Sequence, residues 1–326
     1  WSSLVPYDIH LVRGQLAITK RTSPLVCHTA VMRIASLLPS ATEIVYALGL
    51  EADLAGVTFE CDFPPDPRAG RPVLVGGLDT HGLEPAAIDA LVRAKIAAGD
   101  DLYRLDEDAF RGMDPTLVLT QDLCRVCALP AGEASAALDR LGCSAEVLTL
   151  DPHTLDEVLS TIVAVGIAAG VADRAVDVVG GLTARLEAVS SAVASRPKPN
   201  VFVLEWSDPP FIAGHWVPDL VTAAGGTPVH AERGGRSVPT DWATIAAADP
   251  DIVVVSPCGF KLDAAAEQAA AAIAYLPERA AVWAIDADGL MVRPGPRVVD
   301  GVEALASIFH PDLVPEASDT AVRRIR

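Results

Sequence analysis

RIASLLPSATEIVYALG, residues 33–49, reads as a buried strand, a short polar loop and a helix that stops at glycine. The β-rich run RIASLL (33–38) suits a strand, the polar loop at Pro39-Ser40 leads into a helical pattern, and Gly49 ends it. Ser40 is expected to cap this helix, with Glu43 three residues on completing a capping box. Beyond it, β-rich runs alternate with helical patterns: LVLT (117–120), EVLTL (146–150), VFVLEW (201–206), DIVVVS (251–256) and AVWAID (281–286). That alternation argues for α/β layers.

The pattern occurs twice. DPTLVLTQ (114–121) and DPDIVVVS (249–256) each follow an apolar helical stretch, place Asp-Pro before the strand and end it on polar residues. Each half also has a strand, a polar loop and a helix closing on glycine, at Ala47-Leu48-Gly49 and at Ala224-Gly225-Gly226. Two similar α/β lobes are expected. Between them Leu155, Val158, Leu159, Ile162, Val163 and Ile167 make one helical stripe, and Val178, Leu182, Leu186, Val189 and Val193 make a second, ended by Pro197 and Pro199. At about 1.5 Å per residue, 172–195 would span roughly 35 Å, enough to join two lobes as one stiff connector with a ligand cleft between them. A surface helix of a single sheet is the alternative. The expected divisions are an extension over 1–31, a first lobe over 32–153, a helical linker over 154–196, a second lobe over 197–314 and a tail over 315–326.

The chain of 326 residues is long enough for about two domains. Half of it is apolar (51%) and 21% is charged. No uncharged apolar run reaches the length of roughly 18 residues that a membrane span needs. The net charge of −18 would repel a phosphate backbone, so nucleic acid is not an expected partner. Six cysteines in a chain of this length do not form a disulfide scaffold, and reduced thiols are expected. Residues 1–31 contain no secretory pattern and no periodicity, whereas a regular pattern begins at Met32. An extension that is ill-ordered or not native is therefore expected there, with a cytoplasmic protein starting at Met32. The alternative is a trimmed leader on a periplasmic or membrane-anchored extracellular protein.

Polar residues at the carboxyl ends of strands in open α/β sheets face the ligand crevice. The candidates in the first lobe are Ser40, Phe59, Glu60, Gln121 and Asp122. Cys124 and Cys127 form a lone CxxC; with Cys61 and His215 they could hold a metal, or serve a thiol- or metal-dependent enzyme. The second lobe offers Glu205, Trp206, His215, Trp216, Phe260 and Arg293. Aromatic side chains clustered on loops suit a large flat ligand, with a core role the alternative for Trp206. His215 suits a metal centre in the ligand or a hydrogen bond to a helix end. Arg293 and Arg297 flank a rigid turn and could read carboxylate, amide or carbonyl groups, or cap a neighbouring helix. No GxSxG, Walker A, HExxH or GxGxxG motif supports a motif-defined enzyme.

Taken together, 33–50, ECDFP (60–64), LYRLDEDAF (102–110), DPTLVLTQDLCRVCA (114–128), GHWVPDLVTAAGG (214–226), DPDIVVVSPCGF (249–260) and RPGPRVVDGVEALA (293–306) resemble the cobalamin-binding members of the periplasmic-binding-protein family that feed ABC importers. Related members take ferric siderophores or haem. The resemblance covers about 32–313 and implies the class III fold, two Rossmann-like lobes joined by one long bridging helix. It implies a monomeric, non-enzymatic binder that requires no cofactor, with cobalamin, another corrinoid or another metal chelate as ligand and an importer permease as partner. Phe59, Trp206, Trp216 and Phe260 would face the macrocycle, and Gln121, Glu205 and Arg293 would read its amide fringe. Importer-docking members are similar in carrying one acidic residue per lobe, seven positions before the Pro of the Asp-Pro strand. Asp108 fits in the first lobe, whereas Ala243 stands there in the second, with Asp241 nearby but off register. A cytoplasmic corrinoid binder for salvage or delivery is the corresponding alternative.

Overall fold

The structure, a computed structural model, describes residues 7–12, 15–20, 31–80, 82–123, 131–314 and 317–326. At the start of the chain β1 (Tyr7–Val12) and β2 (Gln15–Lys20) pair as an antiparallel hairpin, with Ile9 opposite Ile18 and Leu11 opposite Leu16. This corrects the expectation that 1–31 lacks periodicity. Tyr7–Leu11 alternates apolar and polar residues at the strand period of two, and Leu16 and Ile18 repeat that spacing, too briefly to stand out in the sequence.

The first unit is built on β3 (Ile34–Ser36), β4 (Leu54–Thr58), β5 (Val73–Gly77), β6 (Tyr103–Leu105), β7 (Leu117–Thr120) and β8 (Glu146–Thr149), in the order β6-β5-β4-β3-β7-β8. All neighbours are parallel except β5 and β6. The central strand β3 is buried along its whole length, Ser36 included, as an inner strand covered on both faces is. The helices in this part of the chain are α1 (Pro39–Ala47), α2 (Pro85–Ala98), α3 (Glu107–Met113), α4 (Ala131–Leu141), α5 (Leu155–Ala168) and α6 (Ala172–Val193), of which α1, α3, α4 and nearly all of α5 belong to the first unit. Ala35, Leu37, Leu74, Val75 and Val118 from the sheet pack with Phe110 of α3 and Ala134 and Leu138 of α4.

The second unit contains β9 (Asn200–Ser207), β10 (Pro210–Ile212), β11 (Thr227–Pro228), β12 (Val238–Pro239), β13 (Ile252–Val255), β14 (Ala281–Ile285) and β15 (Val322–Arg324). The order is β12-β10-β9-β13-β14-β15, with β11 also on β9. Its helices are α7 (Val217–Ala223), α8 (Trp242–Ala247), α9 (Leu262–Ala272), α10 (Ala287–Leu290) and α11 (Val298–Phe309). Phe202, Leu204, Val253, Val255 and Val282 meet the alanine-rich face of α9, where small side chains let helix and sheet approach closely.

Chain contacts divide the molecule into Trp1–Leu78, Asp101–Asp151 and Asp156–Gly181 on one side, and Asp79–Asp100, Pro152–Leu155 and Leu182–Arg326 on the other. Several expected boundaries change accordingly. Residues 79–100, which carry α2, and 152–155 group with the second unit, and α5 belongs to the first rather than to a separate linker. The 22-residue helix α6 passes from one unit to the other at Gly181 and Leu182, as a connector should. The expected tail is also corrected: β15 adds an antiparallel edge to β14, with Val322 buried and the Arg326 guanidinium donating to the carbonyls of Pro277 and Ala280.

The internal repeat is real and keeps one register from cap to strand. Asp106 and Asp241 cap α3 and α8 through Ala109 N–H and Thr244 N–H. Asp114 and Asp249 end those segments with positive φ (47° and 48°), and β7 and β13 follow. An arginine locks each turn: Arg33 on the carbonyl and carboxylate of Asp114, Arg279 on those of Asp249.

Candidate functional site

In the first unit the carboxyl ends of β3 and β4 form a closed hydroxyl-thiol network. Thr42 Oγ1 donates to Ser36 Oγ (2.8 Å) and lies 3.0 Å from Cys61 Sγ, and Ser36 Oγ donates to the Leu38 carbonyl (2.9 Å). Thr58 contributes its N–H at 3.4 Å from the same sulfur. Cys61 is 1% exposed, so it is a structural thiol rather than the metal or nucleophilic residue expected. The capping box is likewise corrected. Pro39 takes the first helical position, moving the cap to Leu38, which has no side-chain cap bond; Ser40 and Glu43 are buried inside α1.

Phe59 follows β4, half-buried, with its ring centroid 6.5 Å from that of Tyr103. It crosses Gly77, where an added Cβ would stand 2.5 Å from Phe59 Cζ. The glycine lets the ring lie across the end of β5. Glu60 is half-buried and its N–H donates to Thr58 Oγ1. Gln121 is buried at the end of β7. Asp122 is exposed, but its carboxylate accepts from Ala131 N–H (2.8 Å) at the start of α4, while Asp151 Oδ1 accepts from the N–H groups of Asp122 and Leu123. Asp122 thus has a structural task. Cys124 and Cys127 lie outside the described residues.

In the second unit Glu205 and Trp206 are successive residues near the end of β9 and make separate contacts. Glu205 Oε1 accepts from Ser237 Oγ (2.6 Å) and Oε2 from Gly214 N–H (3.3 Å). Burial pushes its carboxyl pKa up, against the lowering effect of these two bonds. Trp206 is half-buried, donates through Nε1 to the Asp208 carbonyl (3.0 Å), and sits 5.6 Å from the Phe260 ring at 57°. That tilted pair at the ends of β9 and β13 is an amphipathic aromatic surface.

The loop before α7 is held by backbone. His215 has φ 53°, its N–H donates to Gly235 O (2.5 Å), and its carbonyl accepts from Gly234 N–H (3.0 Å). Gly214 has to be glycine, since a Cβ would stand 2.3 Å from Ser237 N. Burial, then the neighbouring His153 and Arg236, hold the His215 imidazole below its ordinary pKa, which favours the neutral ring. His153 was not anticipated: its ring lies 5.9 Å from that of His215, and its Nδ1 is 3.3 Å from Gly234 O.

Two expected site residues are spent elsewhere. Trp216 is only 5% exposed and donates from Nε1 to the Met291 carbonyl (2.7 Å), so it is core. Arg293 is 9% exposed and pairs with Asp288 (2.7 Å, 13% exposed), a partner on the preceding turn of chain. Asp108 is 91% exposed on the first turn of α3, paired with Arg111. Ala243 holds the equivalent second position of α8, and Asp241 is its N-cap. Among the described residues no group of three or more His, Cys, Asp and Glu could hold a metal, and no helix is long and apolar enough to cross a membrane.

Mostly parallel sheets, polar strand ends and a helix running on from one unit to the next define a two-unit ligand-binding class of α/β protein. The chain belongs to the periplasmic binding protein family, whose model matches residues 34–287. It is 25% identical over 291 residues to the uncharacterized ABC transporter substrate-binding lipoprotein YvrC of Bacillus subtilis (strain 168), spanning 87% of this chain and 82% of that one. In fold it is similar to a periplasmic heme binding protein from Pseudomonas aeruginosa (TM-score 0.64, 23% identity, 90% of this chain and 97% of that one). The periplasmic vitamin B12 binding protein BtuF of Vibrio cholerae is also similar (TM-score 0.59, 21% identity, 85% and 96%). These likenesses establish the class III fold expected from the sequence.

Proposed function

We propose that the protein is a non-enzymatic binder of cobalamin or a related corrinoid, acting outside the cytoplasmic membrane as the monomeric substrate-binding component of an ABC importer. The observation that carries the ligand class is the tilted Trp206–Phe260 pair at the strand ends of the second unit. Aromatic faces bury a large flat ring, while Glu205 of the same unit reads an amide group on its fringe. Phe59, Glu60 and Gln121 are the ligand-reading candidates of the first unit, taken by itself. A solved relative named for vitamin B12 supports this assignment. Importer docking would use Asp108; Ala243 removes the second acidic contact, so docking would rest on one unit.

Haem is the second reading, favoured by the neutral His215 imidazole and by solved relatives named for haem. A thiol enzyme has less support, because the Cys61 sulfur is enclosed by threonines.

The test is a titration with cyanocobalamin, cobinamide, haem and ferric siderophores, following melting temperature and visible absorption. A ligand at about 100 times its Kd adds about 2.7 kcal/mol of stability. The expected result is stabilisation by corrinoids, weakened at least about tenfold in Trp206→Ala, as a loss of more than about 1.4 kcal/mol of stacking requires. Stabilisation by haem alone would install the second reading, and no response from either would reject both.

A further inference from the structure

The least expected feature of the second unit is the histidine pair. His153 lies in the segment Pro152–Leu155 and His215 in the loop before α7, far apart in sequence, and both are solvent-accessible. Asp219 braces the two elements: its Oδ2 accepts from Leu155 N–H (3.0 Å) and its Oδ1 from Arg233 Nε (2.6 Å). The 232–237 loop adds a second brace, through Gly235 O and Gly234 N–H on the His215 backbone and Gly234 O on the His153 ring. Because a carbonyl only accepts, this contact is made with the proton on Nδ1, the tautomer in which a neutral ring ligates through Nε2. This carbonyl contact is the kind of support that fixes the ring orientation of metal-binding histidines.

A transition metal bound about 2.0–2.1 Å from an imidazole nitrogen lies about 3.2 Å from the ring centroid. Two rings on a tetrahedral metal are then about 5.2 Å apart. The 5.9 Å observed lies within about 1 Å of that separation. We infer that His153 and His215 form a two-imidazole site for a divalent transition-metal ion such as Zn2+, Co2+, Ni2+ or Cu2+. Imidazole nitrogen suits this group of metals. The remaining coordination positions go to water, since no third side chain of ligating type joins the pair among the described residues. A planar macrocycle offers its open positions on opposite faces, so two neighbouring rings suit a hydrated ion better than an enclosed metal centre. Arg236 beside His215 opposes the charge of the ion and makes this a weaker, exchangeable site.

The site stands independently of the corrinoid reading, and a zinc titration separates the two. ZnCl2 is titrated into the full chain against a chromophoric zinc chelator, and CuSO4-loaded protein is examined by electron paramagnetic resonance. The expected result is one zinc per chain, a loss of at least tenfold in affinity for both His153→Ala and His215→Ala, no loss for His230→Ala, and hyperfine structure from two nitrogens. His153→Gln, with its fold checked by circular dichroism, guards against a loss caused by misfolding and should weaken zinc as His153→Ala does. Zinc binding that depends on neither histidine, or on only one, overturns the inference, as does the absence of one-to-one binding. Failure of cyanocobalamin to bind the wild type would reject the corrinoid reading and leave the zinc result unaffected.

Discussion

Trp216→Phe distinguishes a buried tryptophan from one that faces a ligand. The replacement keeps an aromatic ring but removes the Nε1–H that donates to Met291 O at 2.7 Å. Met291 is fully buried, so its carbonyl loses a donor that water cannot readily replace. Leaving such a group unsatisfied costs about 1–3 kcal/mol. The lost volume, roughly 40 Å3 at about 24 cal/mol per Å3, adds about 1 kcal/mol. The expected destabilisation is therefore about 2–4 kcal/mol, read as a lower urea midpoint by far-ultraviolet circular dichroism at unchanged slope. Trp206→Phe is the control. Its N–H bonds to the exposed Asp208, and its loss should cost less than about 1 kcal/mol. A Trp216→Phe protein within about 1 kcal/mol of wild type that has lost its ligand would refute the assignment of Trp216 to the core.

Other perturbations give equally definite expectations. Arg293→Met should destabilise by about 1–3 kcal/mol, because the largely buried Asp288 loses a charged hydrogen bond at 2.7 Å, and chemical denaturation measures it. Glu205→Gln should raise stability at about pH 7 and have less effect near pH 4: the folded carboxyl titrates above its unfolded value, so its contribution to stability is complete in acid and is lost as pH rises through the folded pKa. His215 has the opposite sign. Its folded pKa is depressed, so stability is full above about 6.5 and falls as pH drops below that value. Melting curves from about pH 7.5 to 5 should show a shallower fall for His215→Gln. Gly214→Ala should displace the 235–237 backbone, break the Ser237–Glu205 bond and lower both melting temperature and ligand affinity.

Buried strands and repeated turn chemistry were the legible part of the fold. β7 matched the run read from the sequence and β13 lay within its own, because strands covered on both faces need continuous Val, Leu and Ile, and Asp-Pro announces the turn before each. Most of the shortest strands were not legible. β6, β10, β12 and β15 are two or three residues long and draw their stability from a neighbouring strand rather than from their own pattern. The site was legible as residue types at strand ends but not as tasks. Nothing near Trp216 in sequence announces Met291, 75 positions away, as its hydrogen-bond partner, and nothing near His215 points back to His153. Asp288, so close before Arg293, was within reach of a local reading. Ser40 misled because Pro39 already held the position that starts the helix.

The grouping of Pro152–Leu155 with the second unit has a temporal consequence. A ribosome delivers His153 well before the 232–237 loop whose carbonyl holds its ring, 81 residues later at Gly234. At about 5–20 residues per second that interval is about 4–16 s. During it the rest of α5 can join the first unit, whereas Pro152–Leu155, which lead into it and supply its first residue, have no finished surface to join. Completion of the imidazole pair therefore comes late in synthesis, and its appearance would mark the moment at which the second unit closes around a segment made before it.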